Sequence, residues 1–324
     1  MMPSITRRAV LYSASAALAA CAVPRRASAQ SYPSKPIRIV HGYNSGTNPD
    51  VISRVIAPAL TDRLGQPIVV EPKPGSGGRI ATGYVASQEP DGYTLMMLTA
   101  GDGVTAAFDT RLPYNLLRDY AFIATVVHTS LMIVVNAESP LNSMRDFLET
   151  GKSKPGGLTF GTPGVGTTQH LTGELLKISA GLNLVHVPYR ENAFPDLLGG
   201  RIDFLIAAPS VSVPQISSGR VKAIAVTSRN RIDAAPNVPT VGETLPEFDV
   251  SSWLGLAAPV KTDATIVEKL AGTMRQVLGD QTVRTRLLAT GSDVGGLIGD
   301  EFRARVEADV TKWKSLVGKV QLSG

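Results

Sequence analysis

Residues 158–180, LTFGTPGVGTTQHLTGELLKISA, decide how this chain is read. Residues 158–161 are a short apolar run of strand character and 168–180 read as a helix. A Gly/Thr-rich turn, Gly161 to Thr168, joins them. The turn has the spacing G-x-x-x-x-G, but Thr167 stands where a phosphate-binding loop needs its lysine, which argues against nucleotide hydrolysis. The physical content survives the failed motif. A strand, a glycine turn and a helix present free backbone N–H groups and hydroxyls at the positive end of the helix. That is a site for a small anion, and a carboxylate suits it as well as a phosphate. The plainer alternative is a tight turn with threonine N-caps. Gly161, Thr162, Gly166, Thr167 and Thr168 are the candidate residues here.

The same pattern extends in both directions. Strand-like runs fall at 37–43, 68–71, 93–99, 122–128, 132–136, 184–187, 202–207 and 223–227. They are rich in Val, Ile, Leu and Phe with little polar alternation, as in strands covered on both faces. Helix-like stretches lie between them at 51–64, 79–87, 143–150, 193–198 and 211–218, with Gly65, Gly181, Gly199 and Gly219 where C-caps belong. Strand–helix alternation of this kind predicts a parallel α/β architecture. The last part differs: 265–278, 281–290 and 300–317 read as helices with little strand between them, capped by Thr262 or Asp263 and by Asp280.

A second donor-rich turn follows the first strand. Tyr43, Asn44, Ser45, Gly46, Thr47 and Asn48 lead into Pro49, Asp50 and the helix from Val51. Pro49 fits a first helical turn, where no N–H bond is lost. Asp50 suits the positive first turn, either capping it or touching ligand. Two such turns on different α/β units point to a cleft between domains. Thr99, Ala100 and Gly101, after the third strand, complete its wall. The glycines at 74–78 miss the dinucleotide fingerprint because its third position falls on Ile80, and they read as a turn that starts a helix close to the sheet. His41, His128, His170 and His186 have no i, i+4 pairing, so metal-ligand spacing is absent. His41, His128 and His186 read as core or cleft-wall residues, and His170 is placed to line the cleft. No G-x-S-x-G elbow is present.

The first thirty residues read as an export signal. Arg7-Arg8 precede an uncharged run of 15 residues, Ala9 to Val23, and Ala27-Ser28-Ala29 forms an A-x-A site. The paired arginines lean toward the twin-arginine route. A membrane anchor is the alternative, although the run is shorter than the ~18–20 residues that span a bilayer. Cys21 is the single cysteine, which excludes an internal disulfide. It also fits a lipoprotein box, so cleavage falls either after Ala29 or before a lipidated Cys21. The formal charge of +5 comes mostly from this segment. Removing Arg7, Arg8, Arg25 and Arg26 from 32 basic residues leaves 28 against 27 acidic ones, no footprint for nucleic acid.

Several stretches, in order, resemble the solute-binding receptors of tripartite tricarboxylate transporters, the Bug family. They are LGQPIVVEPKPGSGG at 64–78, PDGYTLMM at 90–97, LPYN at 112–115, HLTGELLK at 170–177, VHVPYR at 185–190, DLLGGRIDF at 196–204, AIAVTS at 223–228, NVPTVGET at 237–244 and SSWLGLAAP at 251–259. The resemblance runs from Tyr32 to about Lys314. It implies an α/β, two-lobed periplasmic-binding-protein fold of the Venus flytrap, type II-like kind, with a C-terminal helical tail packed on lobe 1. Lobe 1 would comprise 31–129 plus 252–324, and lobe 2 would comprise 130–251, after a signal peptide at 1–29. The family's first ligand loop, P-x-x-x-G-G-x-x-D, maps onto Gly42 to Asp50, and its second onto Gly161 to Thr168. Gly42 replaces the usual proline, Thr47 the second glycine, and Pro49 a small residue. The segment Tyr189 to Asp196 is about two residues shorter than usual. Ala207 and Ala208, followed by Pro209, stand where an acidic or amide residue is common, so the wall suits a ligand with an apolar or aromatic body.

The resemblance implies a monomeric periplasmic receptor without cofactor, metal or catalytic residues. It would capture a small organic carboxylate without any arginine, close around it, and deliver it to integral membrane permease subunits. Two other classes stay open: a solo sensor for a signalling partner, and an exported α/β enzyme.

Overall fold

The computed structural model describes residues 32–320, so the expected signal peptide, with Arg7, Arg8 and Cys21, lies outside the described residues. The chain divides at Ser34. Residues 32–34 are neither helix nor strand, and the chain from Lys35 onward forms one compact unit.

That unit contains two sheets. The first is built from β1 (Ile37–His41), β2 (Ile68–Pro72), β3 (Thr94–Thr99), β4 (Tyr120–Ser130), β10 (Ser251–Pro259) and β11 (Asp293–Val294), in the order β11-β4-β10-β3-β1-β2. The second is built from β5 (Met132–Asn136), β6 (Leu158–Thr162), β7 (Leu184–Pro188), β8 (Phe204–Ala207) and β9 (Val221–Val226), in the order β7-β6-β8-β5-β9. The parallel architecture expected from the sequence holds only in part. β1, β2 and β3 are parallel, as are β6, β7 and β8, but β10 runs against β3 and β4, and β5 runs against β8 and β9. Parallel neighbours need a crossover of a dozen or more residues. The antiparallel strands β4, β5, β9 and β10 flank the points where the chain passes from one sheet to the other.

Those two passages lie side by side. Leu131 alone separates β4 from β5. Its N–H donates to Thr227 Oγ1 (3.0 Å), the Thr227 hydroxyl donates to Val250 O (2.7 Å), and Thr227 N–H donates to Ser130 Oγ (3.1 Å). All of these residues are buried. Backbone bonds from Thr227 N to Leu131 O (2.9 Å) and from Val250 N to Thr227 O (2.8 Å) add to this network, so the crossing is fixed by satisfied polar groups.

The helices are α1 (Asn48–Leu64), α2 (Arg79–Ala86), α3 (Ala100–Phe108), α4 (Met144–Ser153), α5 (Thr168–Ala180), α6 (Phe194–Leu198), α7 (Pro209–Ser217), α8 (Ala264–Gly279), α9 (Gln281–Leu288) and α10 (Asp300–Lys314). Gly65 and Gly181 end α1 and α5 in the left-handed region, as the sequence requires, whereas Gly199 has φ −82° and Gly200 takes that role. Asp263 caps α8 and Asp280 caps α9. α3 is absent from the sequence reading, although Thr99-x-x-Asp102 has capping-box spacing. The tail helix α10 packs on the first sheet. Phe302 meets Phe122 and Trp253 edge-to-face at 5.2 and 5.1 Å, and Trp253 Nε1 donates to Asp309 Oδ2. In the second half Phe147, Phe204 and Phe160 form the corresponding aromatic core. Among the described residues no helix is long and apolar enough to cross a membrane.

Candidate functional site

Four helices begin at the C-terminal ends of parallel strands: α1 after β1, α3 after β3, α5 after β6 and α7 after β8. The first two belong to the first sheet and the last two to the second. Their N-termini meet in two pairs, each joining the halves. α3 faces α5: a Cβ on Gly101 would lie 3.5 Å from Thr168 N, 3.3 Å from the Tyr43 hydroxyl and 3.2 Å from Thr99 Oγ1. α1 faces α7: the Ser210 hydroxyl donates to Asn48 Oδ1 at 2.7 Å. Further contacts close the seam. Asn44 Nδ2 donates to the Arg190 carbonyl, and a Cβ on Gly77 would sit 2.6 Å from Val165 O. The halves are therefore in direct contact, and glycine is the residue that lets the loops touch.

The first turn, 42–47, is held from behind. Asp50 is buried, and its carboxylate accepts from Gly46 N (2.9 Å), from Arg54 (3.0 and 2.9 Å) and lies 3.2 Å from His41 Nε2. Burial pushes the Asp50 carboxyl up, but the Arg54 guanidinium, the Gly46 N–H and His41 together hold it below its ordinary value. The Asp50 carboxylate does not cap α1, as one of the two expected roles had it; it holds the preceding turn through the Gly46 N–H. The Thr47 hydroxyl donates to Asn44 O at 2.6 Å. Gly42 is explained by the neighbouring turn: a Cβ there would lie 2.3 Å from Gly78 Cα. Tyr43 donates its hydroxyl to Gly77 O at 3.1 Å, and burial pushes its phenol up, so it stays a donor. Ser45 and Gly46 are exposed at the tip of this turn.

The second turn is built on two histidines. The Thr167 hydroxyl donates to Gly164 O (2.8 Å) and accepts from His170 N (3.2 Å). Gly166 N–H donates to His170 Nδ1 (3.2 Å), which requires that nitrogen to be unprotonated. Thr162 Oγ1 lies 2.6 Å from His186 Nε2, and the two imidazoles stack with centroids 3.9 Å apart. Burial lowers His170 to about 3 and His186 to about 4, so both are neutral near pH 7. His170 is thus a support under the loop and not a cleft-lining group. Gly161 is also backed by core: a Cβ there would meet Leu205, Ile202 and Tyr189 within 3.1 Å.

The hydroxyl protons of Thr47 and Thr167 are thus engaged inside their own loops, and Thr162 is turned toward His186. Thr99 likewise donates both its N–H and its hydroxyl to Asp102 Oδ2 (2.8 and 3.0 Å). Burial pushes Asp102 up despite these bonds and that of Thr82. What remains free by helix geometry is the backbone: Asn48 and Asp50 in α1, Ala100 and Gly101 in α3, Thr168 in α5 and Ser210 in α7 have no intrahelical acceptor for their N–H. Ala207 ends β8 half-buried, Ala208 is the buried residue before α7, and Pro209 opens α7. Pro209 packs against Gly291, whose φ is +75° and whose Cβ would be 2.5 Å from Pro209 Cβ. Gly77, Val165, Arg190 and Ser210 were missed by sequence reading, since each acts through a contact far along the chain. Among the described residues no group of three or more His, Cys, Asp or Glu could hold a metal.

This arrangement is found in known proteins. The profile of the tripartite tricarboxylate transporter family receptors matches residues 52–322. A UPF0065 protein from Cupriavidus necator is 32% identical over 98% of this chain and 97% of its own length. Among solved structures, periplasmic binding protein BugD is 31% identical, covering 89% of this chain and 98% of its own, with a TM-score of 0.84. An R. palustris protein with adipate is 28% identical, covering 89% and 97%, with a TM-score of 0.85. MatC from Rhodopseudomonas palustris with bound malate is 27% identical, covering 88% and 100%, with a TM-score of 0.83. The matching family and these structural neighbours are solute-binding proteins and not enzymes, and the chain belongs to the tripartite tricarboxylate transporter receptor family.

Proposed function

We propose that this chain is a periplasmic receptor that captures a small organic carboxylate between its halves and delivers it to a tripartite tricarboxylate-type permease. The observation that carries this reading is the pairing of helix N-termini across the seam. Each contributes about +0.5 of an elementary charge together with unsatisfied N–H groups. Neutral donors converging in this way bind a carboxylate strongly without an arginine. In this reading the N–H groups at Asn48, Asp50, Ala100, Thr168 and Ser210 are the donors. Tyr43, Asn44, Ser45, Gly46, Thr47, Thr99, Gly166 and Thr167 shape the loops that bring them together, with Gly161 and Thr162 behind.

Ala207, Ala208 and Pro209 form a wall with no side-chain hydrogen-bonding group. Such a wall favours an acid with an apolar or aromatic body over a polar amino acid. The adipate bound by the R. palustris relative has such a body; the malate bound by MatC is more polar. Contacts across the seam form only when the halves are together, so ligand that bridges both loops shifts the population toward closure. Export by the N-terminal signal, with or without a lipid on Cys21, would put the receptor beside its permease.

The test is a thermal-shift screen of the chain from Gln30 with mono-, di- and tricarboxylates, aromatic acids, amino acids and sugars. Ligand at about 100 times its dissociation constant adds about 2.7 kcal/mol. A shift confined to one class of acids, weakened by Thr47→Ala and Thr167→Ala, is expected. Shifts with sugars alone, or with no acid, would overturn the carboxylate reading.

A further inference from the structure

The α3/α5 pair brings anion-binding N–H groups together, yet the first turn of α3 already carries an acid. Asp102 is the third residue of that helix and is 4% exposed. Its Oδ1 accepts from the Thr82 hydroxyl (2.6 Å), and its Oδ2 accepts from Thr99 N (2.8 Å) and the Thr99 hydroxyl (3.0 Å). All three donors are neutral, and no cation is among the groups that favour its charge. Asp50, on the turn before α1, is buried too but has Arg54 as its partner. A buried carboxylate without a cation is costly, and neutralisation is the usual relief.

The groups that face Asp102 do not supply the missing charge. Tyr43, Tyr114 and Tyr120 lie within its field; burial and the Asp102 carboxylate push all three phenols up, so they stay neutral. The buried Tyr114 hydroxyl makes no hydrogen bond. Arg79 of α2 is committed to Asp109 at 2.8 Å. Asp309 of α10, whose Cβ approaches α3 at Gly103, is held by Arg305. His170 of α5 is neutral.

The bonds around Asp102 are one proton short. Thr82 has a single hydroxyl proton but two acceptors, Asp102 Oδ1 at 2.6 Å and Gly78 O at 3.2 Å. A proton on Asp102 Oδ1 would satisfy both contacts, with Asp102 donating to Thr82 Oγ1 and Thr82 donating to Gly78 O. Oδ2 would keep both bonds from Thr99, and no heavy atom would have to move.

A bound acid sharpens the need for that proton. Thr99 Oγ1 lies 3.0 Å from Asp102 Oδ2 and 3.2 Å from the point where a Gly101 Cβ would stand, and that point is 3.5 Å from Thr168 N. A carboxylate accepting there puts a second negative charge roughly 6 Å from the first, close enough that each disfavours ionisation of the other. Resting on the carboxylate reading above, we propose that Asp102 takes up one proton from solvent when the acid binds, so that the receptor loads its solute as an anion together with a proton. The proton, in place of an arginine, offsets the charge of the solute. Asp102 touches no ligand atom in this scheme; it acts through its field and through Thr99.

The test is titration calorimetry on the whole chain with adipate, benzoate and succinate as probes. It uses two buffers of different ionisation enthalpy between about pH 7 and 8.5, where the probes are ionised. Heats that differ between the buffers by uptake of up to one proton are expected. Affinity should rise by up to about tenfold for each pH unit lowered. Asp102→Asn copies the protonated form, since its amide can donate to Thr82 while its oxygen accepts from Thr99. This variant should take up no proton, bind without pH dependence, and bind about tenfold or more tightly than wild type at the alkaline end. Buffer-independent heats in the wild type would overturn the coupling. So would a variant that binds more weakly at every pH, the result expected if Asp102 only caps α3. No heat with any of the three acids would sink the carboxylate reading instead, and the proton site is then read in the free protein. There the ¹³C-labelled carboxyl of Asp102, assigned by its loss in Asp102→Asn, should titrate above the ordinary aspartate range; titration within that range would overturn the proton site.

Discussion

Replacing Gly101 by alanine should separate folding from binding. Gly101 is the second residue of α3, buried and helical, so the substitution costs no backbone strain. In the first turn of a helix Gly→Ala stabilises by at most the ~1 kcal/mol of an interior position. The new methyl would stand 3.2 Å from Thr99 Oγ1 and 3.3 Å from the Tyr43 hydroxyl, tight contacts that cancel part of that gain. Folding stability should therefore change by less than about 1 kcal/mol. Binding is affected differently. The methyl lies 3.5 Å from Thr168 N, in the space that an oxygen accepting from that N–H must occupy at about 2.9 Å. Losing one hydrogen bond to a charged acceptor costs about 1.5–3 kcal/mol, or roughly 10- to 150-fold in Kd. Titration calorimetry with the acid that gives the largest thermal shift, alongside urea unfolding, reads both quantities. An unchanged Kd in a stably folded variant would refute the idea that the α3/α5 pair holds the carboxylate. A destabilisation above about 2 kcal/mol would show that the packing around Gly101 has been misjudged.

Three further outcomes are expected. Ser210→Ala removes the bond to Asn48 that exists only with the halves together; ligand affinity should drop by about 2- to 13-fold, and small-angle scattering should show a more open average, with urea stability within about 0.5 kcal/mol of wild type. Gly173→Ala places a methyl 2.3 Å from the Phe160 ring, so this helical substitution should destabilise by about 1–3 kcal/mol where an exposed site would gain; a raised midpoint in urea would sink the argument. Stability should also fall as pH drops from 6.5 toward 4, because the unfolded chain protonates its histidines near 6.5 while folded His170 and His186 resist to about 3 and about 4. Each contributes up to about 1.4 kcal/mol per pH unit in that window. His170→Asn should remove one such contribution, and an identical pH slope in the variant would count against it.

Much of this architecture is local information. The apolar runs at 37–41 and 158–162 and the helical segments after them are readable from local pattern, and the glycine turns at 42–47 and 161–167 mark where each strand becomes a helix. Pro49, Thr167 and Gly181 act within a few residues of their own positions, so their roles as helix start, cap and stop are readable from the string of letters. α3 was hidden because its two glycines, Gly101 and Gly103, weaken the helical pattern that Thr99 and Asp102 cap.

Strand direction and partnership were different. Ser251–Pro259 is as apolar as its neighbours, and nothing local says that it lies between β3 and β4 and runs against both. The site divides the same way. Sequence was enough to choose the two turns, because a turn's supply of N–H groups depends on the residues within it. It could not show that the hydroxyls of Thr47 and Thr167 would point back into their own loops, or that Asp50 would be taken up by Arg54 and Gly46. Nor could it pair Asn48 with Ser210, Gly77 with Val165, or Gly291 with Pro209. Those contacts join residues 80 or more positions apart, and their energies depend on where the double crossing at Ser130 and Thr227 sets one sheet against the other. Local chemistry determined which backbone groups are left free, and the tertiary structure alone decided which of them face each other.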